Sequence, residues 1–321
     1  MIDIIIPLYN TNNKLFKRCL SSIAMQTMID DISVTIVDDC SSDDYSDILE
    51  TFNKIIDISY IKLESNVGSG LARKCGYENS NNKYVMYVDS DDSFASVYSV
   101  EKMFNAFSKD NTIQLVLAGY MEEYPNLRLG YKGYNITWLF SKMYKREELN
   151  KYGIEFTDLR YNEDACYNMK VFAMFEKIAF IDEPLYNWHN NQESLTRCNR
   201  SNVVSACNFV DAYIQSYDWK ESVKIANEDY SNIQNIDGLI LMYMYYCKYV
   251  WTEEDDFTDE VLKRIKIYYD KTVYDIEELA NSELFNERYF TIFKNQESII
   301  QKYIPTITIY DFLFKLKNMN N

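Results

Sequence analysis

Short apolar runs alternate with amphipathic stretches through the first part of the chain. Residues 2–7 (IDIIIP) are apolar but for Asp3 and are closed by a turn, the pattern of a buried strand. Between 14 and 26 apolar residues at Leu15, Cys19, Leu20, Ile23 and Ala24 have helical spacing. Residues 34–37 predict a second strand that ends at Asp38 and Asp39. Ser41 and Ser42, followed by Asp43 and Asp44, have the composition of a helix start. A third strand is predicted over 58–63, then a helix over 69–78 entered through Gly68, Ser69 and Gly70. Residues 84–88 give a fourth strand, ending at the acidic turn 89–92 (DSDD). A helix over 97–107 and a fifth strand over 113–117 follow.

Strands alternating with helices imply a mostly parallel sheet covered on both faces, an α/β architecture. In such sheets ligands sit beyond the carboxyl ends of the strands. The acidic pairs at 38–39 and 89–92 both lie at strand carboxyl ends, so they are expected on one edge of one sheet. From 120 to 138 the pattern is irregular, with Pro125, Gly130 and Gly133, and reads as a loop-rich or antiparallel insert. Glu163, Asp164 and Ala165 open an amphipathic helix. Residues 178–181 look like a short strand stopped by Pro184. Beyond 201 nearly everything is helical in pattern. The expected organisation is an α/β domain over 1–200 and a helical C-terminal region over 201–321.

The chain has 321 residues, 47% of them hydrophobic, which is a globular composition with enough length for a sizeable core. Its formal net charge of −16, with no Lys/Arg run, disfavours nucleic acid as a partner, since gripping a phosphate backbone needs a basic face. Seven scattered cysteines with no CxxC pair point to free thiols in a reducing compartment. No basic leader with a cleavage site is evident, and the longest apolar stretch, 239–251, is too short to span a bilayer. A cytoplasmic location is expected, with peripheral association with the inner face of the membrane left open.

Several residue groups suggest chemistry. Carboxylates at 89–92 suit a hard divalent cation that keeps positions free for phosphate oxygens, although an acidic turn before a helix has the same composition. Residues 68–73 (GSGLAR) do not make a dinucleotide fingerprint. Arg73 occupies the third glycine position, and the segment follows a later strand rather than the first. A nucleotidyltransferase is disfavoured because residues 7–13 lack a Gly-rich basic phosphate loop. Glu163 and Asp164 either complement a helix dipole or supply a general base. His189 is the only histidine. The aromatic clusters at 243–246 and 268–269 are expected to pack helices together, and the acidic run 253–256 to be a solvated helix start.

Taken in order, these motifs resemble glycosyltransferase family 2, whose members have the GT-A fold and invert anomeric configuration. The match is carried by residues 4–10 (IIIPLYN), 37–43 (VDDCSSD), 66–73 (NVGSGLAR) and 84–92 (YVMYVDSDD). It continues through Trp138, Lys142, Tyr144 and Arg146, then 163–165 (EDA), 184–186 (PLY) and 194–196 (SLT). It covers roughly residues 1–197. The resemblance implies an inverting transferase that moves a sugar from a nucleotide-linked donor, a UDP-sugar, to a glycan, cell-envelope polymer or protein acceptor. The implied cofactor is Mn2+ or Mg2+, held by Asp91 and Asp89, with His189 as an added ligand.

For the nucleotide, the resemblance implies Asp39 on the uracil edge with Asp38 in support. Pro7, Tyr9, Asn66, Gly68 and Ser90 border the donor, and Arg73 and Arg197 face the diphosphate. Asp164 becomes the catalytic base, with Glu163 orienting it or the acceptor. Cys40 stands where relatives usually have glycine, and Lys74 where they often have asparagine. The helical region is expected to serve acceptor binding or homo-oligomerisation. A non-catalytic nucleotide-binding or scaffold protein on the same fold, and a phage DNA-base glycosyltransferase, remain the alternatives.

Overall fold

The structure is a computed structural model, and it describes residues 1–191, 202–250, 255–273, 275–295 and 307–319. The chain divides into two compact units, Met1–Cys198 and Asn199–Asn321.

The first unit is built on one mixed sheet. Strands β1 (Ile2–Leu8), β2 (Ile32–Asp38), β3 (Asp57–Lys62) and β4 (Tyr84–Tyr87) pair in parallel, in the order β3-β2-β1-β4. Every position of β1 except Pro7 is buried, as a central strand covered on both faces requires, whereas β3 alternates towards solvent as an edge. Past β4 the sheet continues through β8 (Lys142–Lys145), β6 (Leu115–Glu123), β9 (Ile178–Trp188) and β5 (Ser93–Phe94). There the pairing is antiparallel except between β6 and β9. The irregular stretch after 120 folds as a hairpin, with β7 (Leu129–Lys132) antiparallel to β6.

The helices of this unit are α1 (Asn13–Ala24), α2 (Ser46–Phe52), α3 (Ser69–Glu78), α4 (Ser99–Lys109), α5 (Arg146–Tyr152) and α6 (Glu163–Met174). Phe16, Cys19, Leu20 and Ile23 of α1 enter the core with Ile4 and Ile6 of β1 and Val100 and Met103 of α4, so the apolar stripe faces the sheet. The Asn12 side chain caps α1 by accepting from Lys14 N at 2.9 Å. Helix α2 begins later than Ser41 and Ser42 suggest. Those residues are spent on the turn after β2: Ser41 N donates to Asp38 and Ser42 N to Asn10, leaving Asp44 to accept from Ser46 N. Strand β9 also outruns its expected stop. Pro184 lies opposite Gly119, where the β6–β9 register shifts, and a bulge is where a missing N–H is tolerated.

The second unit contains α7 (Asn202–Glu221), α8 (Glu228–Val250), α9 (Asp255–Thr272), α10 (Ile276–Asn281), α11 (Glu283–Asn295) and α12 (Ile309–Asn318). It has its own core, with Ile240, Tyr243, Ile265, Tyr268, Phe285, Phe312 and Leu313 buried. Tyr246 and Tyr269 belong to the same core, and Tyr246 packs on Phe312. Arg264 pairs with Asp211, and Arg288 grips Asp237 through two bonds of 2.7 and 2.6 Å. Residues 253 and 254 lie outside the described residues. Among the described residues, no helix is long and apolar enough to cross a membrane.

Candidate active site

The carboxyl ends of β1, β2 and β4 lie side by side in the sheet, and the turns that follow them are tied together. Asn10 and Cys40 both adopt left-handed backbone, with φ of 47° and 65°. The Asn10 side chain accepts from Ser42 N and Oγ, while Asn10 N donates to Ser41 Oγ. The preference for glycine at position 40 follows from that backbone, which costs a side chain about 1–2 kcal/mol. Tyr9 stands half-exposed at the mouth of these turns, next to Pro7 and Leu8.

Asp38 is fully buried. It accepts from Ser41 N at 2.7 Å and from the Tyr60 hydroxyl at 2.5 Å. Asp39, expected on the base edge, accepts from Val67 N at 2.6 Å with one oxygen and from Gly68 N at 2.8 Å with the other. It is 3% exposed, so its direct effect is to fix the loop over 64–68. Asn66 completes that loop by donating to Asp39 O and accepting from Arg160. Gly68 has φ of 95°, and an added Cβ would lie 3.1 Å from Arg160 Nη1.

Arg73 joins the two acidic motifs. One terminal nitrogen donates to Asp89 Oδ1 at 2.7 Å, the other to Glu163 Oε1 at 2.8 Å. Glu163 Oε1 also accepts from Ser69 Oγ at 2.7 Å. Burial works against the Arg73 charge, but Asp89 and Glu163 outweigh it and hold its pKa above the ordinary value. Arg73 therefore braces the site between β4 and α6, and each terminal nitrogen has a second N–H besides the bond named. Its Nε is buried without a partner. Gly70 makes this approach of α3 to α6 feasible, because a Cβ there would meet Glu163 Cγ at 2.9 Å.

Asp164 follows at the head of α6, partly open to solvent, and accepts from Ala165 N at 2.7 Å. Burial, reinforced by the neighbouring Glu163, pushes its carboxyl up to about 7. Lys142 is fully buried beneath and donates to the carbonyls of Asn135 and Trp138. Burial lowers its ammonium to about 7, with Asp164 pulling the other way. A carboxyl that titrates near neutrality is suited to take a proton from a hydroxyl.

In the acidic turn, Ser90 Oγ meets Thr11 Oγ1 at 2.7 Å. Arg18 of α1 donates to Asp91 O at 2.6 Å, and Asn191 Nδ2 donates to Asp91 Oδ2 at 2.7 Å. Asp92 points inward and accepts from the Tyr186 hydroxyl at 2.9 Å and His189 N at 2.8 Å. Burial first, then Asp89, keeps the Asp91 carboxyl above its ordinary value. Such crowded, under-neutralised oxygen donors at a strand end fit a divalent cation. Among the described residues, no three His, Cys, Asp or Glu side chains form a ready metal site, so phosphate oxygens would have to complete the shell.

His189 was expected beside that cation. Its ring instead contacts Ser93 Oγ at 2.9 Å and Glu123 Oε2 at 2.8 Å. Burial lowers its pKa, while Glu123 opposes the shift. Ser194 and Arg197 lie outside the described residues. Arg18, Glu123 and Arg160 have no local signal in the sequence, whereas Ser69, Asp92 and Tyr186 lie inside the motifs 66–73, 89–92 and 184–186 without an assigned role there.

The sequence profile of Glycosyl transferase family 2 matches residues 3–180. Among curated proteins, the chain is 28% identical over 223 residues to Glycosyltransferase GlyA of Streptococcus pneumoniae, covering 61% of this chain and 31% of that protein. It is 24% identical to the uncharacterized glycosyltransferase EpsJ of Bacillus subtilis, covering 61% and 63%. It is 29% identical to Poly(ribitol-phosphate) beta-glucosyltransferase of Bacillus spizizenii, covering 56% and 30%. The matches thus span less than two thirds of these relatives' lengths. Among solved structures, Staphylococcus aureus TarS 1–349 in complex with UDP-GlcNAc aligns with a TM-score of 0.71 at 16% identity, over 94% of this chain and 92% of that one. The mannosyltransferase PcManGT of Pyrobaculum calidifontis, in complex with GDP-Man and Mn2+, aligns with a TM-score of 0.54 at 13% identity, over 98% and 85%. These likenesses establish the fold.

Proposed function

The chain belongs to glycosyltransferase family 2, and from that premise we propose that it transfers a sugar from a UDP-linked donor to a hydroxyl of a cell-envelope polymer or other glycan, with inversion. The observation that carries this reading is the Asp89–Arg73–Glu163 bridge. It ties the acidic turn after β4 to the head of α6, where Asp164 follows Glu163, and so supports a shared site for the two motifs. The UDP-GlcNAc held by TarS and the poly(ribitol-phosphate) acceptor in a relative's name support the donor and acceptor classes.

In this reading Tyr9, Pro7 and the loop ordered by Asp39 border the nucleotide. Asp91 and Asp89 hold Mn2+ or Mg2+ with the diphosphate, where a divalent cation stabilises the charge on the leaving group. Asp164 accepts the proton of the acceptor hydroxyl on the face opposite the leaving nucleotide, as a single displacement requires. Glu163 orients that side of the site, fixed by Ser69 and Arg73.

The test is nucleotide release from UDP-, GDP-, CMP- and dTDP-sugars, each with and without Mn2+. Slow Mn2+-dependent release from UDP-sugars, lost in Asp91→Ala, is expected. Binding of none of the four by folded protein with metal present would contradict the reading.

A further inference from the structure

The last residues of β9 and those just beyond are held to the acidic turn by hydrogen bonds with a defined proton order. Asn187 Nδ2 donates to Ser93 Oγ at 3.3 Å, which leaves the Ser93 hydroxyl proton for His189 Nε2, 2.9 Å away. On the other side of the ring, Nδ1 lies 2.8 Å from Glu123 Oε2, which also accepts from Asn190 N at 3.2 Å. An ionised carboxylate only accepts, so the proton between Nδ1 and Glu123 rides on Nδ1. The His189 and Glu123 side chains are 13% and 17% exposed, which limits competition from water. His189 N meanwhile donates to Asp92, and Asn191 Nδ2 to Asp91.

We propose that Glu123 is a positioning residue of the donor site: it fixes His189 as the Nδ1–H tautomer, turns Nε2 onto Ser93, and so seats residues 187–191 against the carboxylates of the acidic turn. The donor part of this statement rests on the glycosyltransferase reading; the hydrogen-bond order stands by itself. Ser93, His189 and Glu123 have the distances of a nucleophile triad. Ser93 is 5% exposed, however, and its oxygen already receives the Asn187 amide. The arrangement orients a segment and offers no carbonyl a line of attack. Glu123 ends β6 and pairs with Leu129 across the hairpin, so the sheet itself supplies the fixed end of the chain of bonds.

His189 is the only histidine in the protein, so histidine-15N labelling of the full chain gives a single imidazole. Long-range 15N–1H spectra at neutral pH are expected to show protonated Nδ1 and unprotonated Nε2. Glu123→Gln should relax the ring to a mixture of tautomers and weaken UDP·Mn2+ binding, measured by calorimetry, by about tenfold. Adding His189→Asn to Glu123→Gln should cost no more than roughly a further twofold, because both act through one network. A wild-type ring protonated on Nε2, or unchanged UDP·Mn2+ affinity in folded Glu123→Gln protein, would overturn the proposal. Absence of UDP binding by the wild type would overturn the donor role with it. The tautomer spectrum distinguishes that failure from an error in the hydrogen-bond order.

Discussion

Arg73 carries one charge between Asp89 and Glu163 and is 6% exposed. Truncating it leaves the buried Glu163 carboxylate and the more exposed Asp89 without their partner, a change that costs about 2–3 kcal/mol once the screening of Asp89 by solvent is counted. Arg73→Met should therefore lower the urea midpoint by that equivalent, and an unchanged midpoint would show that the bridge is not formed. Asp164 makes a prediction about pH. A base works when deprotonated, and burial together with Glu163 raises this carboxyl to about 7. The transfer rate should climb as pH rises towards 7 and level off above it. A rate already flat from pH 5 upwards would contradict the assignment. Asp89, Asp91 and Asp164 were legible because carboxylates at a strand end or helix head stand out in sequence. Glu123 was not. It lies near the start of the irregular stretch 120–138, and its contact with His189 spans 66 positions that no local pattern encodes.

At the level of elements, the close approach of α3 to the sheet depends on Gly76, where an added Cβ would lie 2.5 Å from Ile5 Cγ2 and 3.3 Å from Val37 Cγ2. Gly76→Ala should destabilise by about 1–3 kcal/mol through overpacking. Gly133→Ala, with nothing within 4 Å of the new methyl, should stay within about 0.5 kcal/mol of wild type. Denaturant melts of the pair check both, and equal stability would mean that α3 stands off the sheet. Among the parallel strands, β1 was readable as an apolar run and β2 and β4 as apolar runs ending at an acidic signal, whereas β3 mixes polar and apolar positions as an edge strand does. The antiparallel half was less readable. Strand β9 crosses Pro184 only because Gly119 and the register shift absorb the missing donor. Strand β5 is two residues long and has no period to detect.

For the whole molecule, the two units have separate cores, and the donor residues named above all belong to the first. UDP with Mn2+ is expected to slow amide hydrogen exchange around β1, β4 and α6 and to leave α8, α9 and α12 unchanged. Protection confined to the helical unit would move the donor site. The net charge of −16 and the absence of a basic run leave nucleic acid the least suitable acceptor. Catalysis with Asp164 as the base is checked by measuring sugar-transfer turnover and UDP·Mn2+ affinity side by side for wild type and Asp164→Asn. Turnover should fall by about 10²- to 10⁴-fold while nucleotide affinity stays within roughly a factor of two. Wild-type turnover in Asp164→Asn would contradict the account.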